Sequence, residues 1–585
     1  MNTVEKDKIK GLKKVKEKRE ESEKVKNIKF TILAVVCIIL FSAALAPVTL
    51  QNDTYYTIKI GEHIFQTKTV DMQDPFSWHE GLPYTYPHWA YDVMIYLIYS
   101  LGGFTGIFIS TIVFSAILGV VMYFTNVKIS NNKLVSFVLT LGAMFLLKDY
   151  IAARAQLVTF ILLELTILII EYFLETKKKR YAFGLILIST LIANLHCAVW
   201  PFFFVLFLPY IGEYILNFNY IKGYYKIKQE IYRNRLNKYE KLIDNEGKAG
   251  KTSIDKLRNK IEKLKIKLQE TLEQEKTAEA KREKRIAEPY KIRMKKITAV
   301  KWLILIMLIC VLTGLLTPLG DTPYTYLVKT MQGNTTKSIS EHLPLTLINN
   351  IPILIVLAVL VAILIFTDVK IRLKDLFMLS GLALLMFMTR RQASMFVLFG
   401  SAIVAKMIAD LFEKYDKNGT KEFQKIMISG LGTVATVLVI ALFMIIEIKG
   451  KINDKYVDEK SYPVAASKFI KENLNVSEIR LFNEYNYGSY LLYEEIPVFI
   501  DSRADLYAPE FNKREGEPEG TDIFSDYINT STIAKYYEKT FEQYDITHII
   551  LYKSSKLNML ISKEPDNYKE IYSDDKFIIY EREAN

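Results

Sequence analysis

The sequence predicts an α-helical polytopic membrane protein of about eleven transmembrane helices, followed by a C-terminal extracytoplasmic α/β domain. Three observations predict it. Half of the 585 residues are hydrophobic. These residues gather into blocks nearly free of charge, at 30–50, 107–124, 157–170, 302–316, 351–366 and 428–446. Alternate connections between the blocks are rich in lysine and arginine. Apolar blocks of about 15–22 residues are what a hydrocarbon core about 30 Å thick selects. Shorter blocks at 134–147, 183–195 and 376–388 are read as spans because they recur among longer ones.

Segment 1–27 carries ten lysines and arginines, which places it in the cytoplasm by the positive-inside rule. The first span, 29–50, then exits. Its basic-then-apolar order is that of a signal peptide. About 20 apolar residues exceed a secretory h-region, however, and Pro47-Val48-Thr49 is a poor cleavage site, so the span is expected to be retained as an anchor. In the outer loop 51–104, the stretch 51–90 sets Asp53, Glu62, Asp71, Asp74 and Glu80 against two lysines. Residues 54–65 read as a short interfacial helix. Residues 91–101 read as an amphipathic helix lying in the interface before the next span enters near Gly106.

Spans at 105–125, 134–148, 156–174, 182–197 and 198–215 complete the first half, 28–215. The turn at 196–198 is tight, and one long broken helix is the other reading there. The charged segment 216–300 separates the halves. Segment 222–298 has Leu257, Ile261, Leu264 and Leu268 at helical spacing and an Asp244-Asn245-Glu246-Gly247 breaker in its middle, predicting a cytoplasmic helical hairpin or short coiled coil. It serves as a solvated spacer or as a docking site for a cytoplasmic partner. Spans at 301–317, 350–367, 375–389, 392–409 and 427–449 form the second half, 301–449. Eleven crossings put the C-terminus outside, and the basic loops 177–180, 216–300, 370–374 and 414–425 all fall inside, as that parity requires.

The tail, 450–585, reads as a small mixed sheet with helices packed on it. A helix is expected at 463–474, with Ala466, Phe469, Ile470 and Leu474 on one face, and another at 533–544. Strands are expected at 479–482, 490–492, 498–500, 548–552 and 577–580.

Composition excludes several classes. Cys37, Cys197 and Cys310 lie in or beside apolar blocks, so no disulfide framework is expected. The net charge of +12 sits beside spans and in 216–300, which argues against nucleic acid as a partner. No HExxH, P-loop or CxxC motif is present.

Charge at membrane depth is costly, so ionisable residues that converge at span ends are functional candidates. By parity Asp53, His63, Arg154, Asn194, His196, Glu341, His342, Arg390 and Arg391 all face outside. Guanidinium forks suit a phosphate leaving group at the membrane surface. A carboxylate such as Asp53 takes a proton from an acceptor hydroxyl or holds a divalent cation, Mg²⁺ or Mn²⁺; no other cofactor is expected. The plainer roles are arginines snorkelling to headgroups, Asp53 capping the 54–65 helix and His196 serving as a hydrogen-bonded packing residue.

Taken in order, these stretches resemble a family of bacterial multi-spanning proteins related to the type-C glycosyltransferases, which use polyprenyl-phosphate-linked sugars as donors. The resemblance rests on Asp53 to Tyr56, Gly61 to Ile64, Asp74 to Ser77 and His88-Trp89 in the first loop. It continues through Ala153-Arg154-Ala155-Gln156, Ala193-Asn194-Leu195-His196, Thr317-Pro318-Leu319-Gly320 and Arg390-Arg391. In the tail it rests on Phe482 to Leu491 and Val498 to Tyr507. It covers most of the chain except 216–300; Ala155 and Cys197 depart from the proline and glycine of the family pattern. The resemblance implies a glycosyltransferase of the cell membrane that passes a sugar from a polyprenyl-phosphate lipid to an extracytoplasmic cell-envelope acceptor. Asp53 is then the catalytic base or metal ligand, and Arg154, Arg390 and Arg391 hold the donor phosphate. His63, His88, Gln156, Asn194, His196, Glu341, Asp501, Arg503 and Asp505 are secondary candidates. On a strand the last three share one face, whereas in a turn they form an internal salt-bridge network. A lipid or polysaccharide transporter and a non-catalytic envelope assembly protein are the rival functions.

Overall fold

In hydrocarbon a backbone must satisfy its own hydrogen bonds, so the apolar blocks become helices. The computed structural model describes residues 3–217, 220–245, 251–287, 291–295, 297–333, 335–514 and 516–583. Among the described residues six helical segments are long and apolar enough to cross a membrane: Glu23–Leu45, Trp89–Ser130, Ala155–Thr176, the broken segment Cys197–Asn217, Arg390–Tyr415 and Gly430–Gly450. Shorter apolar helices lie at Lys133–Leu146, Val300–Leu315 and Ile351–Phe366. The chain is a multi-pass membrane protein.

Helix α1 (Thr3–Leu45) leads to α2 (Asn52–Thr67), the short helix expected after the first span. Helix α3 (Trp89–Ser130) contains both expected pieces, the amphipathic 91–101 and the span beyond it. They are divided at Gly103, whose φ of 58° and ψ of −151° only glycine adopts readily. Next come α4 (Lys133–Leu146), capped by the Asn132 side chain, then α5 (Ala155–Thr176) and α6 (Lys179–Leu195). The expected span 198–215 is not one helix. After a 3-10 turn at Cys197–Val199 it divides into α7 (Trp200–Val205) and α8 (Leu208–Asn217), because Pro209 has no N–H to continue the ladder.

The charged segment forms the expected pair of packed helices, α9 (Tyr220–Asn245) and α10 (Lys251–Ala287). Leu264 is buried in their seam, with Leu257, Ile261 and Leu268 half-buried; the breaker at 244–247 lies partly outside the described residues. Beyond it, β1 (Ile292–Arg293) pairs in parallel with β2 (Ile371–Arg372), stitching the end of this pair to the bundle.

The second half runs α11 (Val300–Val311), α12 (Thr322–Gln332), the single turn α13 (Thr335–Ser338), α14 (Ile351–Phe366), α15 (Leu373–Met388), α16 (Ala393–Tyr415), α17 (Gly419–Met427) and α18 (Gly430–Gly450). In the tail α19 (Val464–Asn473) matches expectation. The four-stranded sheet has the order β3-β4-β6-β5. Here β3 (Leu481–Phe482) runs parallel to β4 (His548–Tyr552), while β6 (Phe577–Arg582) is antiparallel to β4 and to β5 (Tyr568–Ser573).

Three tail assignments are corrected. Residues 490–492 are not a strand but lie in α20 (Tyr485–Tyr493). Residues 498–500 form only an isolated bridge, Val498 with Ser77 of the first loop. The expected helix 533–544 shortens to Tyr537–Gln543, preceded by another at Ile523–Ser531. One apolar core runs through the helical bundle; a second is shared between the first loop and the tail, joining Tyr55, Ile58 and Tyr86 to Tyr487, Phe499 and Tyr507. The loop and the tail therefore form a single cap on one end of the bundle.

Candidate functional site

The first turn of α2 sets the site. Gln51, not Asp53, occupies the capping position, and its side chain makes no cap bond. Asp53 lies in the first turn, where the helix dipole favours a carboxylate. The Thr54 hydroxyl donates to the Ala153 carbonyl (3.2 Å), drawing the start of α5 against α2. Arg154, preceding α5, thereby pairs through Nη2 with Asp53 Oδ2, and its Nη1 lies 3.5 Å from Glu341 Oε1. The Asp53 carboxylate first, then Glu341, hold the guanidinium well above its ordinary pKa against the cost of burial.

Glu341 reaches Arg154 from a 3-10 turn, Ser340–His342. That loop is tied to the next element by the Arg390 N–H, which donates to the Leu343 carbonyl (2.9 Å). Arg390 and Arg391 stand in the 3-10 turn between α15 and α16, and the Tyr150 hydroxyl donates to the Arg390 carbonyl (3.2 Å). Among the described residues neither guanidinium has a carboxylate within ion-pair distance. Burial and then the positive charge of Arg391 push the His342 imidazole below its usual pKa. Three arginines and two carboxylates thus gather at the capped end of the bundle.

Two histidines pack near each other beside α2 and α5. His88 is held at both ring nitrogens: Nδ1 lies 2.7 Å from Asp92 Oδ1, and Nε2 lies 3.1 Å from the Tyr56 hydroxyl. The His196 ring centre is 6.2 Å from that of His88, and its Nδ1 lies 2.9 Å from the Thr159 hydroxyl. The Cys197 N–H donates to the Pro87 carbonyl (2.8 Å), which brings the two histidine-bearing segments together. Asn194 splices three elements, accepting from Trp89 Nε1 (3.2 Å) and donating to the Leu316 carbonyl (2.9 Å). Gln156 is buried in the first turn of α5, two residues beyond Arg154. His63 is not brought to the cluster. It lies ten residues from Asp53, about 15 Å along the helix axis, where it pairs with Asp71 at 3.2 Å.

The tail trio is a turn network rather than one face of a strand. Arg503 donates to Asp501 through Nε (2.9 Å) and Nη2 (2.7 Å) and to Asp74 through Nη1 (2.6 Å). The Tyr507 hydroxyl completes the knot on Asp501 (2.6 Å). Burial alone would raise the Asp74 carboxyl, but Arg503 holds it below its usual range. Asp505 points elsewhere and takes a hydrogen bond from Tyr326 of α12. Its pKa is raised by burial, opposed by Tyr326 and by Arg391.

Sequence reasoning missed Tyr56, Asp92, Asp74 and Tyr326. A signal existed for two of them: Tyr56 is one helical turn after Asp53, and Asp92 is four residues after His88. Among the described residues no three His, Cys, Asp or Glu side chains come together as a metal-ligand set.

No protein-family model matches the chain, and no curated protein matches it. Solved structures do. The chain is similar to the crystal structure of the Archaeoglobus fulgidus oligosaccharyltransferase in its apo form, with a TM-score of 0.51 at 12% identity, covering 89% of this chain and 69% of that one. The same enzyme tethered by a disulfide to an acceptor peptide containing the NVT sequon gives 0.49 at 11% identity, over 95% and 74%. Over most of its length, then, the chain has an oligosaccharyltransferase-like fold: membrane helices followed by a C-terminal domain with a small mixed sheet.

Proposed function

We propose that the chain is a membrane glycosyltransferase that transfers a sugar from a polyprenyl-phosphate-linked donor to a cell-envelope acceptor on the extracytoplasmic side. The observation that carries this reading is the gathering of Asp53, Arg154 and Glu341 beside the carboxylate-free Arg390-Arg391 turn, at the bundle end covered by the loop and tail. The fold similarity to an oligosaccharyltransferase supports it. The N-terminus and the α9–α10 pair lie in the cytoplasm on this reading, and the pair presents its charged surface to a cytoplasmic partner.

The chemistry follows from the side chains. Arg390 and Arg391 receive the donor phosphate, whose negative charge grows as the sugar–oxygen bond breaks; fixed guanidinium donors stabilise that charge more in the transition state than before it. Asp53 accepts the proton of the attacking hydroxyl. Arg154 positions Asp53 through their ion pair, with Glu341 bracing the other side of the guanidinium. Asp53 and Glu341, released from Arg154 and joined by waters and the donor phosphate, would hold a Mg²⁺ or Mn²⁺ ion, which would neutralise charge on the departing phosphate. In the steps above Arg154 supplies the positive charge at this point, and none of them runs through a cation.

The test is transfer of radiolabelled sugar from a panel of polyprenyl-phosphate sugars to envelope acceptors by the purified protein in lipid. Wild type transfers; Asp53→Asn at equal expression does not. Failure of wild type across a panel validated with a known enzyme, with Asp53→Asn silent in cells, would move the assignment to an assembly protein.

A further inference from the structure

A buried side-chain chain runs from the membrane side of the cap toward the Asp53–Arg154 pair, and the reaction outlined above leaves it unused. Asp92, wholly buried, lies 2.7 Å from His88 Nδ1. His88 Nε2 lies 3.1 Å from the Tyr56 hydroxyl. Tyr56 follows Asp53 by three residues, about one turn of α2, which puts the two side chains on neighbouring positions of one helix face. We propose that Asp92, His88 and Tyr56 form a proton relay that drains the acceptor proton from the Asp53 site into the protein interior.

The relay takes Asp92 as ionised beside His88, although burial raises its carboxyl. An ionised Asp92 only accepts hydrogen bonds, so His88 carries its proton on Nδ1 and leaves Nε2 as an acceptor. The Tyr56 O–H then donates to Nε2. Burial first, then the Asp53 carboxylate, hold the Tyr56 phenol well above its ordinary pKa, so the hydroxyl keeps its proton until the step that needs it moved. In that step the acceptor oxygen bonds to the anomeric carbon and the bond from that carbon to the phosphate oxygen breaks. The acceptor's proton goes to Asp53 and on to the Tyr56 oxygen as the phenolic proton passes to His88 Nε2. The imidazolium so formed faces the Asp92 carboxylate, and reversal of the file returns the proton to solvent after product leaves.

Other charged and titratable groups shape this balance. Tyr56 faces His88 from α2, Asp92 and Tyr91 share its helix, and His196 faces it from the end of α6. Arg154 and Arg391 act on His196, while Arg503 acts on Asp92 from the tail.

The relay rests on the transferase reading, and the experiment separates the two. The full chain labelled with ¹⁵N-histidine is placed in lipid nanodiscs. The His88 resonance, assigned by its loss in His88→Gln, is read for tautomer, and sugar transfer is measured across pH. The expected results are the Nδ1–H tautomer and a Tyr56→Phe variant whose kcat falls about 100-fold or more with donor KM unchanged. His88→Gln should likewise lower kcat with donor KM unchanged. Transfer by wild type with Tyr56→Phe equally fast, or an Nε2–H tautomer, overturns the relay and leaves the transferase standing. No transfer by wild type overturns the transferase and, with it, the relay's role. Because Tyr56→Phe removes one oxygen and keeps the ring, its hydrogen-exchange pattern is the check that the fold is intact.

Discussion

Arg503 joins residues that are 429 positions apart in the chain, Asp74 and itself, in an ion cluster whose side chains are at most 1% exposed. Removing the cation leaves two buried carboxylates without a counter-charge, a change that costs about 3–5 kcal/mol. Arg503→Met is therefore expected to loosen the cap, seen as faster hydrogen exchange in 71–86 and 498–507 together, whereas exchange in the bundle stays as in wild type. Arg391 has the opposite character, a guanidinium with no carboxylate of its own among the described residues. Arg391→Ala should weaken donor binding and slow transfer with little loss of stability, as measured by donor KM, kcat and thermal unfolding side by side. Glu484, just before α20, gives a pH signature. Burial pushes its carboxyl up to about 7, despite its bonds to Tyr552 and Ser555. The folded state thus holds this proton longer than the unfolded chain does, so its contribution falls as pH rises from about 4.5 to about 7. Glu484→Gln should raise tail stability at pH 8 and change it little at pH 4.5, read by hydrogen exchange in β4.

At the scale of elements, α2 and α3 cross so closely that a Cβ on Gly61 would sit 2.1 Å from the Asp92 carbonyl. Backbone cannot yield there as a flexible side chain does. Gly61→Ala should pry α2 from α3, lower stability by about 1–3 kcal/mol and break the Tyr56–His88 hydrogen bond; a lowered thermal midpoint with a changed His88 resonance is the result to look for. The crossing itself was partly legible in the sequence: both helices and the division near Gly103 follow from amphipathic spacing and a break in it. Elements whose sequence preference and burial agree, such as α4, α5 and α19, were legible in the same way. Tyr490, Leu491 and Leu492 were not. Their β-forming, apolar character satisfies a strand pattern, yet all three are buried in a helix because Tyr487, Tyr490 and Leu491 pack between the sheet and the first loop. Strand β5 was missed for the converse reason, since Lys569 and Glu570 are exposed and interrupt any apolar run. At the site, parity alone put Asp53, Arg154, Glu341 and the two arginines on one side. The pairings that distinguish Arg503 from them depend on a loop and a tail far apart in sequence, which no local pattern reveals.

For the whole molecule, contact between the first loop and the tail constrains topology independently of charge. Two segments that share one core lie on one side of the bilayer, so an even number of crossings separates them, and the ten spans expected between 105 and 449 meet this condition. The α9–α10 pair lies five expected spans from each, so the expected count predicts it on the opposite side. All three native cysteines are buried, so single introduced cysteines can report sidedness. In intact cells a membrane-impermeant maleimide should label Lys563→Cys in the tail at once, and Lys241→Cys in α9 only after permeabilisation. The break between α7 and α8 makes this a real choice. If 198–215 does not cross, the α9–α10 pair and the tail are separated by the same five spans as before, but the first loop and the tail by nine, which their shared core forbids. Labelling of both cysteines from one side would mean that the second half crosses an even number of times. Labelling of Lys241→Cys alone in intact cells would invert the molecule, put Asp53 and the arginines on the cytoplasmic face, and remove the extracytoplasmic donor from the proposed reaction.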